Sequence, residues 1–399
     1  MTAGLRWYLT SSALFLIPGG VQMVLFPYLV AVYLHESPTR VGIAQRAGQL
    51  PMLLLILFGG VVGDRVDQRR LLLFLQTVMM LPPLVIAGLE SNGFLTYSVL
   101  IAWAIFGGTL GAFAQPARDA LLNRIAGPEI QRVVILVIGV QFGIQIIGFA
   151  IGSQAATLGV VPVLFMQSFA MLCAMLATRR IPLAEPAVRT QPRQHPLRDI
   201  AEALRMAWQH EAIRPAVIQA FSVGLFFAGS YIVILPLMVR DLYHGTSVGI
   251  AMAFAANMLG STTTIFVLMR LGGVQRPGRA LLIGSMFSLS VLALLTQELS
   301  LVMFYVAIYL WGMCGGIGMT MSRSIVQEAA PDSHRARLLS VFSLGMMGGM
   351  PIGSFMLGAC VDLLGPRRAV WVPVLGMLAI TVLLRLFTRL WYVERNPPK

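Results

Sequence analysis

The chain alternates between long apolar segments and short polar loops, and this alternation limits it to one class of fold. Apolar residues make up 57% of its 399 residues and charged residues only 11%. A soluble protein of this length cannot bury so much apolar surface in its cores. Lipid must therefore be the solvent, and each segment is long enough to cross a bilayer as a helix. The twelve predicted spans are 8–34, 41–63, 71–89, 96–117, 133–155, 158–178, 215–239, 248–269, 280–296, 301–321, 338–360 and 369–388.

The basic residues lie almost entirely on one side of these spans. If the N-terminus is cytoplasmic, 24 of the 29 Lys and Arg residues fall in cytoplasmic segments. The opposite side holds only Arg40, Arg240, Arg367 and Arg368. This asymmetry follows the positive-inside rule, so we expect an inner-membrane protein with both termini in the cytoplasm. It also accounts for the net charge of +13 without a nucleic-acid partner.

The chain contains an internal repeat. Residues 39–44 read Thr-Arg-Val-Gly-Ile-Ala and residues 246–251 read Thr-Ser-Val-Gly-Ile-Ala, so five of six positions are identical. Upstream of each copy, a proline and a histidine are separated by eight residues, in Pro27–His35 and in Pro236–His244. The offset between the copies is about half of the chain, which indicates a duplicated half. Two such halves are the architecture of a transporter that rocks about a central site.

The longest loop, 179–214, divides the spans into two sets of six. Its first part is rich in proline and arginine, and residues 197–213 then carry apolar residues at helical spacing. We expect a short amphipathic helix on the cytoplasmic surface, which either rests on lipid headgroups or binds a partner. The predicted domains are a six-helix bundle over 1–178, this linker, and a second six-helix bundle over 215–399.

A glycine-rich helix end followed by charged residues lies between the second and third spans. It reads Gly60-Val61-Val62-Gly63-Asp64-Arg65-Val66-Asp67-Gln68-Arg69-Arg70. The eleventh helix starts on the same side of the membrane near Leu338, and a helix N-terminus carries a partial positive charge. Asp64 could therefore latch the two halves together on the cytoplasmic side. The alternative is an ordinary basic loop with an incidental carboxylate.

This string resembles the signature loop of the major facilitator superfamily, Gly-x-x-x-Asp-Arg-x-Gly-Arg-Arg. Span count, central linker and duplication agree with that resemblance. It implies an all-α membrane protein with twelve transmembrane helices in two six-helix bundles related by a pseudo-twofold axis. Asp67 stands where the family has Gly, and Gln68 where it has Arg. At the matching positions the resemblance implies a gating role for Gly60, Asp64, Arg65, Arg69 and Arg70.

A weaker resemblance points to one group within the superfamily. Gln115-Pro116-Ala117 and Arg335-Ala336-Arg337 are similar to segments of bacterial drug and siderophore exporters of the enterobactin-exporter type. The antiporter signature of these exporters contains Gly-Pro in the fifth span, where this chain has Gly143-Ile144. The resemblance implies export of a drug or siderophore, with the proton motive force as the energy source.

Proton coupling has no obvious carrier within the predicted spans. All 16 Asp and Glu residues fall in predicted loops or at span ends. A proton-coupled carrier usually places an acid at membrane depth. Coupling would then need Asp241, Asp362, His35 or His244 near the outer mouth. The alternative for the histidines is an ordinary exposed loop position.

Arg46 is the one charge deep inside a predicted span, since Arg385 lies near the end of the last one. Its repeat counterpart is Ala253, so the charge belongs to one half only. An ionisable side chain in a membrane helix is a candidate functional residue, and Arg46 could bind a carboxylate or phosphate of a substrate. The alternatives are a pair with Glu36 or Asp241, or a side chain that reaches toward the outer surface.

The other side chains predicted to line a pathway are neutral. Small-molecule cavities are mostly apolar with a few oriented polar groups, and the 23 methionines of the chain can adapt to irregular partners. A bulky, partly apolar solute fits such a lining, whereas a phosphorylated sugar would need several convergent basic groups. The predicted substrate-binding set is Arg46 with Gln22, Gln49, Gln141, Gln145, Tyr231, Asn257 and Trp311.

The sequence therefore predicts a monomeric secondary active transporter for a small amphipathic organic solute, working by alternating access with protons as the coupling ion. The alternatives are a uniporter or importer of a neutral organic solute or lysolipid, and a non-transporting receptor. No enzymatic activity, cofactor or metal site is expected, because the spans carry no cluster of nucleophiles, acids or metal ligands and no P-loop. Cys173, Cys314 and Cys360 fall in apolar segments, as expected of small buried side chains.

Overall fold

A computed structural model describes residues 3–126, 130–182, 196–271, 274–331 and 335–394, and the regular secondary structure over these ranges is entirely helical. Short π-helical segments continue the first helix over Tyr28–Tyr33 and join two later helices over Val223–Ala228 and Ser230–Ile234. The α-helices are α1 (Ala3–Pro27), α2 (Pro38–Arg65), α3 (Gln68–Ser91), α4 (Tyr97–Ala126), α5 (Ile130–Ser153), α6 (Val160–Arg179), α7 (Pro196–Gln209), α8 (Ile213–Ser222), α9 (Leu235–Tyr243), α10 (Ser247–Arg270), α11 (Pro277–Leu294), α12 (Leu301–Ala329), α13 (Arg335–Leu364), α14 (Pro366–Ala369) and α15 (Trp371–Phe387).

Every predicted span coincides with one of these helices or with consecutive ones. Among the described residues, ten helices are long and apolar enough to cross a membrane. Helices α2 and α5 cover the two further predicted spans, 41–63 and 133–155. The prediction of an all-α membrane protein with about twelve spans is confirmed.

The chain divides into two compact units that exchange short segments. The first unit comprises Met1–Glu36, Ala47–Pro192 and Gly245–Ala251, and the second comprises Ser37–Arg46, Arg193–His244 and Met252–Lys399. The exchanged segments contain the two copies of the six-residue repeat. The repeated sequence therefore marks the start of α2 and of α10, where each helix packs with the other half of the sequence.

Glycines bring the same pair of helices into backbone contact in both units. In the first unit, a Cβ atom added at Gly20 on α1 would lie 2.9 Å from the Cα of Gly148 on α5. In the second unit, a Cβ at Gly353 on α13 would overlap the carbonyl of Leu225. Close approach of this kind lets helices associate by van der Waals packing in lipid, where the hydrophobic effect supplies no drive.

A duplicated hydrogen bond links equivalent helices in the two units. Gln76 on α3 donates from Nε2 to the Ser11 hydroxyl on α1 at 3.5 Å, and Gln219 on α8 donates to the Ser285 hydroxyl on α11 at 2.9 Å. The two residue types have changed places between the halves. All four side chains are buried. A polar pair has thus been retained at one place in the repeat with its members exchanged.

His35 and His244 occupy equivalent backbone positions. They are the only described non-glycine residues with positive φ, at 51° and 48°. His244 is the C-cap of α9 and donates its N–H to the carbonyl of Val239. Histidine is one of the residues that tolerate the left-handed region. His244 therefore ends α9, and His35 directly follows Leu34, the C-cap of the first helical stretch.

The linker helix α7 packs on the second unit. Ala207 is buried together with Ile213 and Leu338, and Glu202 pairs with Arg337 at 3.8 Å. Leu204 and Trp208, one turn apart, remain exposed. The predicted amphipathic helix is present, with one face on protein rather than wholly on headgroups. The domain boundaries near residues 178 and 214 stay a prediction.

Candidate functional site

The signature loop of the sequence forms the turn between α2 and α3. Asp67 is the N-cap of α3, and its Oδ1 accepts a hydrogen bond from the Arg70 N–H at 2.8 Å. A carboxylate at this position satisfies an otherwise unpaired helix N–H. This contact gives a physical reason for the acid at the position where the superfamily signature has glycine.

Arg69 fixes this turn to the end of α6. Its Nε donates to the carbonyl of Thr178 at 3.3 Å, and its Nη2 donates to the carbonyl of Arg179. A guanidinium group at a helix C-terminus satisfies unpaired carbonyls and complements the helix dipole. Gly60, Asp64 and Arg65 lie on the last turns of α2, and their side-chain surroundings fall outside the described part of the structure. The latch predicted for Asp64 stays a prediction.

Arg46 lies on the segment of α2 that belongs to the second unit. Its guanidinium carbon is 5.4 Å from the centroid of the Phe355 ring on α13. Asp241, one predicted partner, pairs instead with the neighbouring Arg240, with one N–O distance of 3.0 Å. Arg46 is exposed, and its position on an aromatic ring is that of a cation–π contact.

The start of α2 is fixed to α13 by further contacts. The Thr39 N–H donates to a carboxylate oxygen of Asp362 at 3.0 Å. A Cβ at Gly42 would lie 3.2 Å from the Cα of Gly358. In the first unit, the exchanged start of α10 is held by Ser247, which is fully buried and donates to the Ser153 carbonyl at 2.7 Å. Equivalent segments are therefore held by a carboxylate in one unit and by a hydroxyl in the other.

Two of the four predicted polar residues of the first unit join helices to one another. Gln22 on α1 accepts a hydrogen bond from Gln167 at 3.2 Å. Gln145 on α5 lies 2.9 Å from the sulfur of Met23. Gln141 is exposed on α5, and Gln49 is half-buried on α2. These contacts show that Gln22 and Gln145 help to pack α1 against α5 and α6.

The predicted residues of the second unit form one polar contact and two aromatic contacts. Asn257 on α10 donates to the Ile308 carbonyl at 3.4 Å. Trp311 is buried with its ring edge-on to Phe227 at 5.9 Å, and the Tyr231 and Phe254 ring centroids are 4.5 Å apart. The predicted set is thus divided equally between the two units. Its role in substrate binding stays a prediction.

One helix continues beyond its predicted span. Helix α4 continues past the predicted span end at 117 to Ala126, and its apolar span Tyr97–Leu122 contains Arg118 and Asp119. Asp119 therefore lies three residues from the end of this apolar stretch. The apolar pattern resumes directly after the charged pair, at Ala120-Leu121-Leu122, and this was the signal for a longer helix.

Arg118 and Asp119 point in different directions. Arg118 is 7% exposed, its guanidinium carbon lies 4.6 Å from the Phe15 ring centroid, and its Nε has no hydrogen-bond partner among the described residues. Asp119 is exposed and accepts a hydrogen bond from Gln115 at 3.2 Å. A charged pair inside a membrane helix is a candidate functional site.

The fold and these helix contacts define a multi-pass helical membrane protein. The chain belongs to the transmembrane secretion effector family of the major facilitator superfamily, whose sequence model matches residues 6–397. The resemblance seen in the signature loop is therefore confirmed. The protein is a multi-pass membrane transporter for a small molecule and not an enzyme.

Individual relatives extend over nearly the whole chain. The staphyloferrin A transporter of Staphylococcus aureus is 23% identical over 400 residues, which cover 96% of this chain and 96% of that protein. The enterobactin exporter EntS of Escherichia coli is 23% identical over 386 residues, which cover 95% of this chain and 91% of the exporter. These relatives confirm the weaker resemblance to siderophore exporters.

A solved structure shows the same fold. The bacterial homologue of the human lysosomal transporter Spinster, in an inward-facing and unoccupied conformation, superposes with a TM-score of 0.77. The superposition covers 100% of both chains at 10% sequence identity. At this identity the likeness concerns the fold alone.

Proposed function

We propose that the protein exports a small amphipathic organic solute of the siderophore class across the inner membrane by alternating access. The similarity to the staphyloferrin A transporter and to EntS over at least 95% of this chain carries the proposal. The export direction follows from the name of the second relative. The basic excess in the segments assigned to the cytoplasm supports cytoplasmic termini.

The predicted pathway residues suit such a solute. They are neutral amides and aromatic rings, with Arg46 as the single charged side chain. The amide of Gln145 lies beside the sulfur of Met23. Lining of this kind holds a bulky solute by apolar contact and orients it with a few polar groups. Arg46, exposed over the Phe355 ring, supplies the one positive charge for an acidic group of the solute.

Asp119 is the candidate proton carrier that supports the use of the proton motive force. It is an exposed acid within an apolar span, hydrogen bonded to Gln115 and adjacent to the buried Arg118. Proton uptake would cancel its charge beside a fixed guanidinium group and change the electrostatic balance of α4. In the proposed cycle, the access of solute is gated by the signature loop, at Gly60, Asp64, Arg65, Arg69 and Arg70. One monomer carries out the whole cycle.

The function is tested by comparing extracellular small molecules from a deletion strain and its parent. The strain lacking the protein should retain an iron-binding or amphipathic solute that the parent releases, and a protonophore should reproduce that retention in the parent. Reappearance of release on complementation with the intact gene is the control. Depletion of an external solute by the parent alone would support the importer alternative instead.

The role of Asp119 is tested with purified protein in proteoliposomes. Asp119→Asn should abolish accumulation driven by a pH gradient but retain exchange of labelled for unlabelled solute, because exchange needs no net proton movement. Gln115→Ala should retain most of both activities. Gradient-driven accumulation by Asp119→Asn at the rate of the unmodified protein would remove Asp119 from coupling.

A further inference from the structure

Two arginines, each in a terminal turn of a membrane helix, stack on one tryptophan ring. Arg279 lies in the first turn of α11 and Arg385 in the last turn of α15. Their guanidinium carbons lie 5.3 Å and 4.7 Å from the centroid of the Trp391 ring. Arg385 is also 5.8 Å from the centroid of the Tyr392 ring. Like charges held this close repel one another unless an anion lies between them.

No acid of the described chain neutralises this pair. Two carboxylates on this side of the unit already have partners, since Glu394 pairs with Arg276 at 2.9 Å and Glu211 with Arg389 at 3.3 Å. Over the described ranges, neither Arg279 nor Arg385 forms an ion pair. The Nε of Arg279 is buried and also lacks a hydrogen-bond partner there.

The stacked geometry leaves hydrogen-bond donors available to a ligand. An arginine that stacks on a ring uses the face of its guanidinium group, while its five N–H donors lie in the plane and point outward. Two such groups around one ring can present several donors to a phosphate, which arginine binds well. The N-terminus of α11, which no side chain caps, adds partial positive charge nearby.

The aromatic turn that carries Trp391 is fixed in place. A Cβ atom at Gly278 would overlap the carbonyl of Leu390, so the turn contacts the backbone of α11 directly. Leu390 is fully buried, and the Arg276–Glu394 pair joins the same two segments. The ring is therefore held between the two arginines by packing that does not depend on a ligand.

The cluster lies at the boundary between apolar and polar segments. The two spans that carry the arginines are Pro277–Leu294 and Pro366–Phe387, and each arginine is within the terminal turn of its span. Leu386 and Phe387, next to Arg385, are 68% and 75% exposed. Lipid headgroups meet a membrane protein at this level, and acyl chains cover apolar side chains such as these two.

We propose that Arg279, Arg385 and Trp391 form a binding site for the phosphate of an anionic phospholipid. The two guanidinium groups bind the phosphate oxygens, and the exposed apolar residues beside Arg385 contact the acyl chains. The first unit offers a contrast, because Arg180 is the one cation that stacks on the Trp7 ring among the described residues, at 4.6 Å. The site rests on the helices and their ends, and it does not depend on the transported solute.

The test uses the full chain, purified in a mild detergent and titrated with phosphatidylglycerol or phosphatidylcholine. Retained lipid is measured by native mass spectrometry, and the thermal midpoint by intrinsic fluorescence. Phosphatidylglycerol should be retained and should raise the midpoint, and phosphatidylcholine should do neither. Since a basic residue near a charged surface contributes about a fivefold gain in affinity, Arg279→Gln with Arg385→Gln should weaken retention by roughly 25-fold.

Three comparisons make the result decisive. Arg180→Gln removes the single stacked cation of the first unit and should leave phosphatidylglycerol retention unchanged. Arg385→Gln alone changes an exposed side chain, so it reports on the site even if the double variant is poorly folded. Inorganic phosphate and glycerol phosphate should not raise the thermal midpoint. Equal retention by the double variant, equal binding of phosphatidylcholine, or a full effect of soluble phosphate would each overturn the lipid site.

Discussion

At the scale of single residues, Asp67 shows how a departure from a family signature can be read physically. Its carboxylate caps α3 through the Arg70 N–H. Replacing a capping acid by alanine costs about 1 kcal/mol, whereas glycine costs only a few tenths. We therefore expect Asp67→Ala to lower the thermal midpoint in detergent by a few degrees and Asp67→Gly, which restores the family residue, to lower it less. An equal loss in both variants would show that the cap is not the reason for the acid.

Arg46 was identifiable from the sequence as a lone charge, but its partner was not. Hydropathy shows that Arg46 lies in a span but not which helix its side chain faces. The Phe355 ring was therefore not predicted as its partner. We expect Arg46→Ala to raise KM for an acidic solute about tenfold while kcat changes little, because a lost contact to the bound solute weakens uniform binding. Arg46→Lys, which keeps the charge, should recover part of the loss. An unchanged KM in Arg46→Ala would remove this residue from the site.

At the scale of helices, spans were predictable because the bilayer imposes one length on every apolar segment. The ends of the helices were less predictable than the spans. Arg118 and Asp119 look like the start of a loop in the sequence, whereas α4 continues through them to Ala126 and Arg118 packs on Phe15. The Gln–Ser pairs that join α1 to α3 and α8 to α11 were also not predictable. Glutamine and serine exchange positions between the two halves, so a comparison of the two halves of the sequence does not reveal these pairs.

Helix α13 offers a matched pair of glycines for testing backbone contact. A Cβ at Gly353 would overlap the Leu225 carbonyl, whereas the nearest atom to a Cβ at Gly348 is a Phe221 ring carbon at 4.0 Å. Gly353→Ala should therefore destabilise the protein by about 1–3 kcal/mol, as overpacked sites do. Gly348→Ala should be neutral or stabilising by about 0.5–1 kcal/mol, because alanine favours a helix. Thermal unfolding of both variants distinguishes these outcomes, and an equal loss would mean that α13 can shift to admit the methyl group.

At the scale of the whole molecule, duplication was predictable but the exchange of segments was not. The repeat copies at 39–44 and 246–251 are similar to each other, and similarity alone does not state what either copy contacts. The structure places each copy in the unit formed mainly by the other half. A cycle of alternating access requires contacts between the two halves of the sequence to break and re-form, whereas contacts within a half persist. The Thr39–Asp362 hydrogen bond joins the two halves of the sequence, so it should break during the cycle. The Gln219–Ser285 bond lies within one half, so it should persist.

This distinction can be tested by reversible cross-linking in a chain without its native cysteines, which are all free thiols. Thr39→Cys with Asp362→Cys, once oxidised, should abolish solute transport, and a reductant should restore it. Gln219→Cys with Ser285→Cys should transport equally well in both redox states, since α8 and α11 belong to the same half. Hydrogen bonds of 3.0 Å and 2.9 Å show that the members of each pair lie on helices in direct contact. Full transport by the oxidised Thr39–Asp362 pair would mean that the start of α2 stays on α13 throughout the cycle, and the halves would then have to move about some other contact.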